Sequence, residues 1–157
     1  MGNKDRGWNG QRMNDNRSGY DEPKLPEGYL KNGYFDTGPS GKTVRTELVW
    51  KTAKEIADSL NAGKTQLKKS QLRKYYDYCK NLQSKMHLRN AGFEAIRPEF
   101  VKLLGYATNA LNKSTPVVPK IFVKFVESNI DKVKNADDFN AFIAHFEMIV
   151  AYYPKKD

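Results

Sequence analysis

From residue 46 onward, apolar residues recur at three- and four-residue steps, the spacing of helices that bury one face. In 46–60 the recurring set is Val49, Ala53, Ile56, Ala57 and Leu60, and Asn61-Ala62-Gly63 supplies a stop. A second helix opens near Ser70, as cap or first-turn residue, and runs to about Leu88. At 100° per residue its Leu72, Tyr75, Tyr76, Cys79, Leu82 and Met86 share one face. Asn90-Ala91-Gly92 marks a boundary, and a third helix follows through Phe100, Val101, Leu104 and Leu111, with Pro98 at or near its start. Thr115-Pro116 reads as a cap followed by proline at the first position of a fourth helix carrying Ile121, Phe122, Phe125 and Val126. Asn135 or Asp137 caps the last helix, in which Phe139, Phe142, Ile143, Phe146, Ile149, Val150 and Tyr153 form a broad apolar arc. The other side of that helix (Ala141, Ala144, His145, Met148, Ala151) is hardly polar, so it is expected to be central or shared with a partner. No 20–50-residue period repeats, and no alternating run of β-branched residues predicts a sheet. The expected fold is all-α, a compact bundle of about five helices behind a flexible N-terminal arm.

The arm differs in texture. Residues 1–20 are rich in Asn, Gly, Arg and Asp with almost no aliphatic content, too little to offset chain entropy, and are expected to be disordered. From Tyr20 to Thr43, Leu25-Pro26-Glu27-Gly28-Tyr29-Leu30 and Gly33-Tyr34-Phe35 forbid a long helix while offering aromatics. Such a segment docks on something, either its own core or a neighbour. The expected division is a flexible arm and connector over 1–45 and a single helical-bundle domain over 46–157, which suits a 157-residue chain.

Charge changes the picture. The chain carries a net charge of +9, and residues 64–113 hold 11 basic against 3 acidic groups. One third of the sequence therefore contains nearly all of the excess. Lys69, Arg73 and Lys80 project as a narrow stripe beside the apolar face of the second helix, with Lys74 and Lys85 farther round and Lys68 and Arg89 broadening the patch. A solvated helix face is the bland account of such a run. Cations clustered with Tyr75, Tyr76 and Tyr78 suit a polyanion better, by neutralising phosphates and releasing counterions without reading bases. Tyr76, at the border of the apolar and basic arcs, is placed either to stack on a base or, as the favoured reading, to pack in the core. Lys120 and Lys124, by contrast, share the outer side of the fourth helix with Glu127 and Asp131.

Catalytic chemistry finds little support. His87 and His145 lack Cys, Asp or Glu at metal-ligand spacings, and His145-Phe146-Glu147 has no accompanying Pro-Cys-x-x-Cys of a zinc deaminase. Cys79, the single cysteine, lies on an apolar helix face as a small hydrophobe and excludes an intrachain disulfide. Gly33, Gly38 and Gly41 do not end in the Gly-Lys-Ser/Thr of a phosphate loop. No catalytic residue, metal or cofactor is expected. No apolar run approaches a membrane span, no hydrophobic stretch follows the first charges, and Arg6 spoils a myristoylation motif, so the expected location is cytoplasmic.

Two stretches carry a family likeness. Lys69-Ser70-Gln71-Leu72-Arg73-Lys74-Tyr75-Tyr76 resembles the Ser-Gln-hydrophobic-Arg-x-aromatic opening of a helix in the small subunit of type III-A CRISPR (Csm) effector complexes. Phe139-x-x-Phe142-x-x-His145-Phe146-Glu147-Met148-Ile149-Val150-Ala151-Tyr152-Tyr153 resembles that family's C-terminal pattern. Tyr106-Ala107 and Phe122-x-x-Phe125 fit the same layout, so the likeness spans about residues 45–153. The resemblance implies a five-helix protein without enzymatic activity whose copies stack along the ribonucleoprotein beside other Csm subunits. It also implies contact with the sugar-phosphate backbone of guide RNA and target RNA in antiviral defence, while nucleic-acid cutting belongs to other subunits. Arg73, matched to the Ser-Gln-x-Arg motif, then becomes the first candidate contact, with Lys69 and Lys80 beside it. The chain departs from the pattern at Asn109, where many members carry arginine; Lys113 stands one turn on.

Two other readings predict different behaviour. A stand-alone DNA-binding regulator of helix-turn-helix type needs a short turn delivering a recognition helix, for which Asn90-Ala91-Gly92 is a weak candidate. A pure protein-interaction bundle would use its charge for solubility alone.

Overall fold

The computed structural model describes residues 22–65, 67–88, 90 and 92–154. The expectations for residues 1–20 and for Arg89 lie outside the described residues. A short hairpin, β1 (Phe35–Gly38) and β2 (Gly41–Val44), leads into a 3-10 turn (Thr46–Val49). Five helices follow: α1 (Lys51–Leu60), α2 (Lys69–Leu88), α3 (Phe93–Leu111), α4 (Lys120–Lys132) and α5 (Ala136–Tyr152). The all-α bundle expected from the periodicity is the fold observed.

α5 is the central element. It packs against α1, α2 and the 3-10 turn, while α3 packs against α2 and α4. Its nearly all-round apolar character follows from this position: Ala141 and His145 are buried as fully as Phe139, Phe142 and Phe146. The core is aromatic. Phe100 meets Phe139 edge to face at 5.1 Å, Phe125 lies 5.4 Å from Phe146, and Phe142 stacks on Phe146 at 5.7 Å. Each such ring buries 150–250 Å², and burial of this kind drives the collapse of the bundle.

Helix ends differ from the sequence reading in three places. The 46–60 segment divides at Trp50 into a 3-10 turn and α1. α3 begins at Phe93, five residues before Pro98, so the proline lies inside the helix. Pro98 has no N–H to offer the turn before it. The first turns nevertheless remain helical because Phe93 and Ile96 are buried, Phe93 against Phe100 and Phe139. α4 starts at Lys120 with Pro119 at its cap, rather than at Thr115-Pro116. Val118 is buried just before it and anchors the entry of the helix. At α5 the cap is Asn135, whose side chain accepts from the Asp138 N–H at 2.9 Å.

The hairpin is a feature the sequence reading did not contain. Phe35 pairs with Val44 and Gly38 with Gly41 across it. Gly41 has φ +101°, in the left-handed region that lets a two-residue connection close. The preceding segment docks on the protein's own core: Leu30 and Tyr34 are 5% and 2% exposed. The hydroxyl of Tyr34 donates to Asn129 Oδ1 at 2.7 Å, and Asn129 Nδ2 donates to the Tyr29 oxygen at 3.0 Å and to the Phe125 carbonyl at 2.8 Å.

Candidate nucleic-acid interface

α2 carries five of the basic residues and a single acid, Asp77. Leu72, Tyr75, Cys79, Leu82 and Met86 are buried, which turns the rest of the helix outward. Two contacts hold its start. The Tyr153 hydroxyl donates to the Leu67 carbonyl, and Lys69 Nζ lies 3.4 Å from the Tyr153 carbonyl. Tyr76 meets Phe146 edge to face at 5.5 Å, and Gln83 Nε2 donates to Asn140 Oδ1 at 2.9 Å. These contacts step down α5 as they step up α2, so the two helices run antiparallel along a shared seam. Tyr76 therefore belongs to the packing.

The basic residues divide between two edges of α2. Lys69 and Lys80 lie on the α5 edge, with Arg73 one turn beyond Lys69 in the same stripe. Lys69 is half-buried, Arg73 and Lys80 are exposed, and Lys80 donates to Gln83 Oε1 at 2.9 Å. Lys74 and Lys85 are exposed on the opposite edge, in register with Tyr78, which faces α3. Lys68 is exposed just before the helix, and its carbonyl accepts the Leu72 N–H at 3.0 Å.

None of Lys68, Lys69, Arg73, Lys74, Lys80 or Lys85 enters an ion pair among the described residues. The ion pairs present engage other cations, among them Lys42 with Asp137, Arg45 with Asp36, Lys54 with Asp58 and Lys102 with Glu99. α2 thus presents uncompensated positive charge along both borders of its outer face. Like charges lined up in this way raise the local positive potential of the surface.

The α3 edge holds a pair that the sequence reading did not single out. Tyr78 donates to the Glu99 carbonyl at 2.6 Å, and its ring stands edge to face with Tyr106 of α3 at 5.8 Å and 85°. Burial first, and then the nearby Glu99 carboxylate, push the Tyr78 hydroxyl up to about 12, so it stays a neutral donor. Tyr106 is 53% exposed. Its signal was its phase: at helical spacing it falls at the border of the face that Phe100, Leu103 and Ala107 bury, on the side turned to α2. Asn109 is exposed on α3, whereas Lys113 lies in the turn beyond the helix end and does not continue its face.

The remaining chemistry is structural. Cys79 is buried and burial pushes its thiol up. His145 Nδ1 lies 2.5 Å from the Leu48 carbonyl, and Nε2 lies 2.6 Å from the Tyr29 hydroxyl. Burial lowers its pKa to about 4, so the ring is neutral, with Nδ1 donating and Nε2 accepting. Among the described residues no group of three or more His, Cys, Asp or Glu could hold a metal ion, and no helix is long and apolar enough to cross a membrane.

An all-α bundle with a central apolar helix and a basic helix turned outward falls in the class of small helical-bundle proteins. Residues 43–155 match the family model described as Csm2 Type III-A, and the chain belongs to that family, the small subunit of the type III-A CRISPR Csm complex. No curated protein and no solved structure matches the chain.

Proposed function

We propose that this chain is a noncatalytic, cytoplasmic subunit that stacks in several copies along the Csm ribonucleoprotein and holds guide RNA and target RNA by their sugar-phosphate backbone. The observation that carries the reading is the uncompensated charge of α2, above all the Lys69–Arg73–Lys80 stripe on the α5 edge. Cations in a line along a rigid helix match the repeating phosphates of one strand, and such contacts hold a strand without selecting its sequence. Each copy needs only modest affinity, because stacked copies bind one continuous strand and gain by multivalency.

The test is fluorescence anisotropy of the full chain with several unrelated single-stranded RNAs of equal length. Comparable affinities are expected across sequences, falling stepwise as Lys69, Arg73 and Lys80 are changed to Ala. Binding unchanged in the triple variant would sink the assignment of this face. Much tighter binding to one duplex DNA sequence would turn the reading to a DNA-binding regulator.

A further inference from the structure

We infer that the seam between α2 and α3 is a base-stacking site, in which Tyr106 is the platform for one unpaired base of a bound RNA strand. The inference rests on the RNA-binding reading and adds to it a contact with a base rather than with the backbone. Three observations lead to it. Tyr106 exposes half of a large aromatic side chain, which water solvates poorly and which no segment among the described residues covers. Its ring is nonetheless held in place, edge to face on Tyr78, which is itself tied to the α3 backbone at Glu99. An exposed ring already fixed in one orientation loses little freedom on binding, which is what a stacking platform requires.

The surroundings select the occupant. Gly105, next to Tyr106, has no atom of another element within 4 Å of where a Cβ would stand, so no other element covers α3 at this position. Lys74 and Lys85 stand on the α2 side of the seam without an ion-pair partner among the described residues, and Lys102 precedes Tyr106 by one turn on α3. The nearby acids are Glu99, which is bridged by Lys102 at 3.3 Å, and Asp77 beside Tyr78. A ring flanked by cations, with one acid already compensated, fits a base joined to phosphates better than an acidic or purely apolar protein surface.

The experiment compares wild-type full chain binding to a 12-nucleotide single-stranded RNA with binding to the same oligomer carrying abasic sites throughout. Charge and spacing are equal in the two, so only base contacts differ. Wild type is expected to favour the intact strand by roughly 5- to 100-fold, as one stacked base would give. Tyr106→Ala should lose that preference and bind both oligomers alike, while Tyr106→Phe, which keeps the ring, should retain it. Equal wild-type binding to both oligomers, with salt-sensitive affinity intact, would overturn the stacking site and leave the backbone reading standing. The tyrosine face would then be free for a protein neighbour. No binding to either oligomer would overturn both. The abasic comparison needs no variant, so the inference stays testable if Tyr106→Ala fails to fold.

Discussion

Tyr29 and His145 stand 116 residues apart in the chain and meet through a 2.6 Å hydrogen bond from the tyrosine hydroxyl to Nε2. The bond is one link in a directed chain. Tyr34 donates to Asn129, Asn129 donates to Tyr29, Tyr29 donates to His145, and His145 donates through Nδ1 to the Leu48 carbonyl. The segment before the hairpin, the 3-10 turn, α4 and α5 are thereby tied together inside the core. Every donor has an acceptor only while the imidazole is neutral.

Acid should therefore loosen this clasp. The folded pKa of His145, about 4, lies below the ordinary 6.5 because burial disfavours the imidazolium. A depressed folded pKa gives stability that is fully present above the unfolded value and is lost as pH falls from about 6.5 to about 4. The loss is on the order of 3 kcal/mol. Urea denaturation at pH 7 and pH 4 should show wild type losing that much more than His145→Gln. Equal losses would mean that carboxylates alone set the acid sensitivity.

The Asn129 junction should be costlier than any of its single bonds. Asn129→Leu leaves the buried Tyr34 hydroxyl without an acceptor and Tyr29 without a donor, an expected loss of roughly 2–4 kcal/mol. Tyr34→Phe removes one donor and should cost about 1–2 kcal/mol. In the double variant the losses should sum to less than the two singles, because both act on one network. Strict additivity in denaturation midpoints would show that the bonds contribute independently.

What could be read in the sequence was whatever depended on local period. The apolar faces of α2 and α5 and the Asn135 cap need only local spacing and local hydrogen bonds. Boundaries set by tertiary contacts were not legible. Phe93 carries α3 back past Pro98 because it finds Phe139 across the core, and no local signal encodes that meeting. The hairpin was hidden for a similar reason: four-residue strands around Pro39-Ser40 are too short to display alternation. For the interface, the stripe of Lys69, Arg73 and Lys80 follows from helical phase alone. The division of the cations between two seams required knowing which neighbour lies on each side of α2.

Gly105 offers a check on the stability of α3. It lies inside α3 with no left-handed φ and with open space where a Cβ would stand. Gly105→Ala should therefore stabilise the protein by roughly 0.5–1 kcal/mol, through lower entropy of the unfolded chain. The thermal midpoint should rise by a few degrees. A fall would reveal a close approach of other chain atoms at this position.

Salt dependence distinguishes a phosphate-tracking face from general positive charge. For single strands the slope of log K against log salt is about −0.7 per phosphate neutralised. Replacing Lys69, Arg73 and Lys80 by Ala should therefore make the slope shallower by about 2, whatever the RNA sequence. Lys124→Ala with Lys132→Ala removes two exposed cations from α4, where Glu127 and Asp131 are interleaved with them, and should leave the slope nearly unchanged. A proportional change from the α4 pair would mean that net charge, and not the face of α2, governs association. The interface would then have to be sought elsewhere on the bundle.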